Sequence, residues 1–139
     1  MNRTTLKYEL DLDFVLIAIT APLKDYRLCF NINRELHVDL ARIDDHEIFF
    51  NNSNKPFYFS RYSYTQPHTE TAFTLLANKG SEGFLIPEMK TVDFFLLIHN
   101  YIDPDELKAV IGGLNRIGEV LVAAEVHPKK LKSKENLII

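Results

Sequence analysis

The sequence predicts an α+β domain, with a mixed, largely antiparallel sheet, two main helices and a C-terminal β-α-β unit. Three observations carry that expectation. Aromatic and aliphatic runs broken by turn-forming residues fill positions 39–99, a well-capped amphipathic segment follows at 103–117, and a further apolar run occupies Glu119 to Val126. The 139 residues, 46% hydrophobic, suit one domain over 1–139 with a real core.

At the start, Leu6, Tyr8 and Leu10 alternate with Thr5, Lys7 and Glu9, which predicts a strand over residues 4–10. Phe14 to Ile19 fits a buried strand, or a short helix capped by the acids at 11 and 13. Pro22 and the apolar face that Leu23, Tyr26, Leu28, Phe30, Ile32 and Leu36 can supply predict a helix over 22–37. Asp39 to Ile43 and Glu47 to Phe50 read as one interrupted strand before a turn at Asn51 to Pro56.

Two aromatic-rich strands follow, around Phe57 to Tyr64 and Phe73 to Leu76, so the middle of the chain is expected to be an antiparallel meander. A turn at Asn78 to Gly83 leads into Phe84-Leu85-Ile86-Pro87, where the proline marks an edge or a break, and Val92 to His99 reads as a strand. Asp103 is placed to cap a helix, with Pro104 in its first position and Glu106 able to complete a capping box. That helix should stop at Gly118, and Gly112-Gly113 inside it predict close packing against another backbone. With the strand Glu119 to Val126 it completes the β-α-β unit, right-handed if its strands are parallel neighbours. The tail 128–139 ends in Leu137-Ile138-Ile139, which should pack back or onto a partner.

Composition narrows function mainly by exclusion. A net charge of -3 leaves no overall footprint for nucleic acid or an anionic membrane. Cys29 is the sole cysteine, so no internal disulfide forms. The N-terminal residues lack a signal-peptide core, and no apolar run approaches the roughly 20 residues a membrane helix needs, so a cytoplasmic protein is expected. Phosphate-binding, dinucleotide-binding and hydrolase loop signatures are missing. The five histidines show no ligand spacing, so neither a metal nor a cofactor is expected.

Ile86-Pro87-Glu88-Met89-Lys90-Thr91-Val92-Asp93-Phe94 resembles the motif of the IPExxxVDY family, with Phe94 where that family usually has tyrosine. The segments Leu23 to Leu28 and Leu131 to Leu137 are also similar to that family, so the likeness extends over most of the chain. The resemblance implies a bacterial protein, mainly of Bacteroidetes-type organisms, and brings no activity, substrate or cofactor with it. Phenylalanine at 94 argues that a hydroxyl there is not essential chemistry.

Four candidate features remain. Glu88 and Asp93 are placed to meet Lys24, Asp25 and Arg27 of the first helix, either as an acid pair for catalysis or, the preferred reading, as a structural ion-pair network. Cys29, between Leu28 and Phe30, reads as a buried small residue. Lys129, Lys130, Lys132 and Lys134, with Phe57, Tyr58, Tyr62 and Tyr64 as a stacking face, form the case for RNA. Leu137, Ile138 and Ile139, with surface-prone Phe49 and Phe50 and an exposed aromatic sheet face, form the case for a protein partner or self-association, which is the leading expectation.

Overall fold

The computed structural model describes residues 12–50 and 54–139; the strand expected over 4–10 lies outside them. Six strands, β1 (Val15–Thr20), β2 (Ala41–Ile48), β3 (Phe57–Thr65), β4 (Ala72–Ala77), β5 (Phe94–His99) and β6 (Val122–Val126), form one sheet in the order β2-β3-β4-β5-β1-β6. Helix α1 (Asp25–Leu36) joins β1 to β2, and α2 (Pro104–Arg116) joins β5 to β6. The fold is α+β.

Every hydrogen-bonded pair of strands is antiparallel. β5 and β6 therefore run parallel to each other with β1 inserted between them, so the C-terminal β-α-β unit skips one strand instead of joining neighbours. The ambiguous stretch at 14–19 forms the strand β1, which pairs with β5 on one side and with β6 on the other. The expected meander β2-β3-β4-β5 forms, the turn expected at Asn51 to Pro56 lying partly outside the described residues, and the interruption in β2 is a register shift between Ile43 and His46, a β-bulge.

The central strands β4, β5 and β1 are buried on both faces, which is why their sequences are continuous apolar runs and not alternations. Registered rows cross the sheet on the helical face: Ile17, Leu96, Leu75 and Tyr62 form one, and Ile19, Phe94 and Ala77 another. Against them pack Leu28, Cys29 and Ile32 of α1 and Val110 and Leu114 of α2. On the opposite face Leu16, Ala18, Phe59, Leu76, Phe95 and Leu97 are covered by Leu85, Ile86, Val92, Leu131 and Leu137, all from irregular chain.

Both helices differ from expectation in detail. α1 starts at Asp25, not at 22, because the Ala21 N–H is held by the Asp93 carboxylate and a tight turn links Leu23 N–H to Ala21 C=O. His37, in the left-handed region at φ 57°, ends it. α2 has the expected cap, with Asp103 Oδ2 accepting from the amides of Asp105 and Glu106. Its capping box is not completed, since the Glu106 carboxylate accepts from Gln66 Nε2 at 3.1 Å. Of the two glycines, Gly113 sits where a Cβ would overlap Leu36 of α1, whereas Gly112 faces only the flexible end of Arg116.

Candidate functional site

The motif segment is organised around one side chain that the sequence reading treats as a turn former. Asn78, fully buried at the end of β4, donates from Nδ2 to the carbonyls of Met89 (2.9 Å) and Val92 (2.8 Å) and accepts from the Ile86 N–H through Oδ1 (2.8 Å). Its own N–H and C=O bond to Asp93 C=O and Leu85 N–H. Residues 85–93 thus wrap one asparagine, with Pro87–Met89 forming a 3-10 turn and Ile86 and Val92 pointing into the core. Every buried backbone group in such a loop needs a partner, and Asn78 bonds five of them at once. Its only trace in the sequence is an Asn directly after an apolar strand, which also reads as a turn.

The two motif acids go to different places. Asp93 Oδ2 accepts from Ala21 N–H at 2.7 Å while Oδ1 pairs with Lys79 Nζ at 2.6 Å. Glu88 accepts from both the N–H and the hydroxyl of Ser133, each at 2.8 Å. Burial alone would raise the Glu88 pKa, but the Ser133 donors outweigh it and hold the carboxyl below its usual value. No single ion-pair network joins Lys24, Asp25, Arg27, Glu88 and Asp93: Asp25 pairs with Arg42, Arg27 with Glu119, and Asp93 with Lys79. Lys24, Asp25 and Asp93 do share a cleft of about 530 Å³ with Tyr58, Lys79 and Ser81, but Glu88 and Arg27 are not part of it. An acid pair made of Glu88 and Asp93 is therefore not assembled.

The tail packs back onto its own sheet. Leu137 is fully buried and Leu131 nearly so, which removes Leu137 from the expected contact surface; Ile138 and Ile139 stay partly exposed. Asn136 donates to Leu85 C=O at 2.8 Å, and its carbonyl lies 2.8 Å from His46 Nε2. Lys129, Lys130 and Lys132 are exposed on this tail. The aromatic platform expected beside them does not exist: Tyr62 belongs to the core, Tyr64 packs against it, Phe57 is covered on the opposite face, and Tyr58 alone is exposed. Phe49 is exposed, while Phe50 packs edge-on against Phe57 at 4.9 Å.

Exposed apolar surface concentrates elsewhere. Tyr26 (60% exposed) and Phe30 (62%) lie one turn apart on the outer side of α1, and Leu121 (71%) and Val122 lead into β6. The Arg27–Glu119 ion pair, 3.5 Å, ties these two regions together. A hollow of about 530 Å³ beside α1 is lined by Tyr26, Arg27, Phe30, Asn31, Arg34 and Glu119, with the Arg34 guanidinium 5.4 Å from the Phe30 ring centre; Leu121 and Val122 do not line it. The apolar face expected of this helix is therefore divided: positions 26 and 30 are roughly 200° around the helix from 28 and 32, so Leu28 and Ile32 are buried while Tyr26 and Phe30 face outward.

Among the described residues, both edge strands of the sheet carry features that disfavour addition of a further strand. β2 carries Arg42, Asp44, Asp45 and Glu47 and its bulge. On β6 the Asn115 side chain donates to Ala123 C=O (2.9 Å) and accepts from Ala123 N–H (3.0 Å), filling both groups as a neighbouring strand would.

Cys29 is buried, near the Leu40 carbonyl and Asn33, and burial pushes its thiol pKa up. Among the described residues no three His, Cys, Asp or Glu side chains gather as a metal-holding group, and no helix is long and apolar enough to cross a membrane. Comparisons with models of known protein families, with curated proteins and with solved structures found no match to this chain.

Proposed function

We propose that the protein is a non-enzymatic, cytoplasmic protein-interaction module that meets its partner, or a second copy of itself, through the surface of Tyr26, Phe30, Arg34 and Leu121. The observation that carries this reading is the composition of that surface. Aromatic side chains and arginine, with apolar residues exposed around a hollow, match the make-up of interface hot spots. The bulged, charged β2 and the Asn115 cap on Ala123 of β6 disfavour strand addition, which supports contact through side chains.

The alternatives draw less support. An enzyme using Glu88 and Asp93 would need acids with a free oxygen near substrate, but Glu88 is spent on Ser133, and Asp93 on Ala21 and Lys79. RNA binding through the lysine-rich tail has no stacking face beside it. On this reading the IPExxxVDY motif is architectural: it shapes the loop around Asn78 and anchors the tail.

The test compares wild type with Tyr26→Ser/Phe30→Ser, a pair of exposed substitutions expected to leave the fold intact. Proteins retained by the tagged wild type after nuclease treatment, or a concentration-dependent dimer in sedimentation, should be lost from the double variant. Retention of the same partners and the same sedimentation behaviour by both would overturn the reading.

A further inference from the structure

Residues 128–137 leave β6 at one edge of the sheet and reach His46 on β2 at the other. Along this path they form two 3-10 turns, Pro128–Lys130 and Lys134–Leu137, and pair with no strand. Leu131 and Leu137 plug the apolar face, and the polar anchors are few: Glu88 to Ser133, Leu85 to Asn136, and His46 to the Asn136 carbonyl. Two of the three anchoring groups on the body of the protein titrate.

We propose that residues 128–137 form an acid-released strap, in which protonation of His46 favours lifting of the segment and uncovers the apolar face built by Leu16, Phe59, Leu76, Phe95 and Leu97. The Asn136 carbonyl accepts from His46 Nε2–H, a bond that both the neutral and the charged ring can donate, so it is burial of the ring that sets the closed strap against the charge. His46 is buried. The charged group acting on the ring is Arg61 of β3, and Phe59 stands opposite it in the ladder; the tail presents only the Asn136 carbonyl, with Glu135 its nearest charged residue along the chain. An imidazolium is disfavoured there and is accepted once the strap lifts and water reaches the ring.

Burial lowers the His46 pKa from its usual 6.5; the Asn136 carbonyl opposes it by raising the pKa, and Arg61 adds a smaller lowering. A group whose closed-state pKa is depressed in this way stabilises the closed form above 6.5 and loses that contribution as pH falls below it. The opening equilibrium then rises by up to about tenfold per pH unit until the closed-state pKa is reached. Glu88, whose pKa lies below the usual glutamate value of 4.5, adds a second loss only at lower pH.

The experiment follows fluorescence of an apolar-surface dye and backbone circular dichroism of the full chain from pH 7.5 to 4. Dye fluorescence should rise several-fold between pH 6.5 and 5 while the circular dichroism stays constant. In His46→Gln, which keeps a donor but does not titrate, that rise should vanish and only the step below pH 4.5 remain. Ser133→Ala, a substitution outside the core, should enlarge the rise at pH 6 by loosening the second anchor. Dye binding that is flat above pH 4.5, a rise unchanged in His46→Gln or in Ser133→Ala, or loss of backbone structure at the same pH would each overturn the strap.

Discussion

Two helices close one face of the sheet, and irregular chain closes the other. On the helical face the cover repeats: Leu28 and Ile32 of α1 and Val110 and Leu114 of α2 fall at helical spacing, and each helix satisfies its own backbone. The opposite face has no such economy. Its cover, residues 84–92 and 128–137, depends on side chains to satisfy the backbone, chiefly Asn78, with Glu88 and Asn136 fastening the strap. A regular cover fails by losing packing, whereas an irregular one fails by losing a single polar contact.

The strongest way to break that comparison is Asn78→Ala. It strands the carbonyls of Met89 and Val92 and the Ile86 N–H in the interior, at about 1–3 kcal/mol each. A loss of at least about 3 kcal/mol in urea unfolding is expected, more than most single changes produce. On the helical face the matching test concerns packing: Gly113→Ala drives a methyl into Leu36 and should cost about 1–3 kcal/mol, while Gly112→Ala, one residue away and in ordinary contact with only the end of Arg116, should gain up to about 1 kcal/mol. Equal effects at the two glycines would remove the close helix contact from the account.

Smaller effects sharpen the roles of the acids. Glu88→Gln should weaken the strap by about 1 kcal/mol, visible as faster proteolysis after Lys129 or Lys130 with little change in global unfolding. Arg27→Ala removes only an exposed ion pair and should change stability by less than about 0.5 kcal/mol.

The sequence was most legible where local rules decide structure. Asp103 and Pro104 announce α2, and the alternation of apolar runs with turn residues announces the meander. It was least legible where distant chain decides. Nothing near Pro22 shows that Asp93 will capture the Ala21 N–H and delay α1. The insertion of β1 between β5 and β6 depends on pairings more than 70 residues apart in β1–β5 and more than 100 in β1–β6. The grouping of Glu88 with Asp93 failed for a local reason: the 3-10 turn at Pro87–Met89 aims Glu88 at the tail, while Asp93 already lies at the β5 ladder. The apolar C-terminus was correctly expected to pack, but which residue packs depended on the turn at Lys134–Leu137, which points Leu137 inward and leaves Ile138 and Ile139 outside.

The most direct test of an architectural motif beneath a releasable strap is native-state hydrogen exchange at neutral pH, read residue by residue. The account predicts that the amide of Ile86, bonded to buried Asn78, exchanges only with global unfolding, while those of Ser133 and Asn136 exchange through a smaller, local opening. Exchange of Ser133 and Asn136 at the global limit would abolish the strap, and easy exchange at Ile86 would contradict the structural role given to the motif.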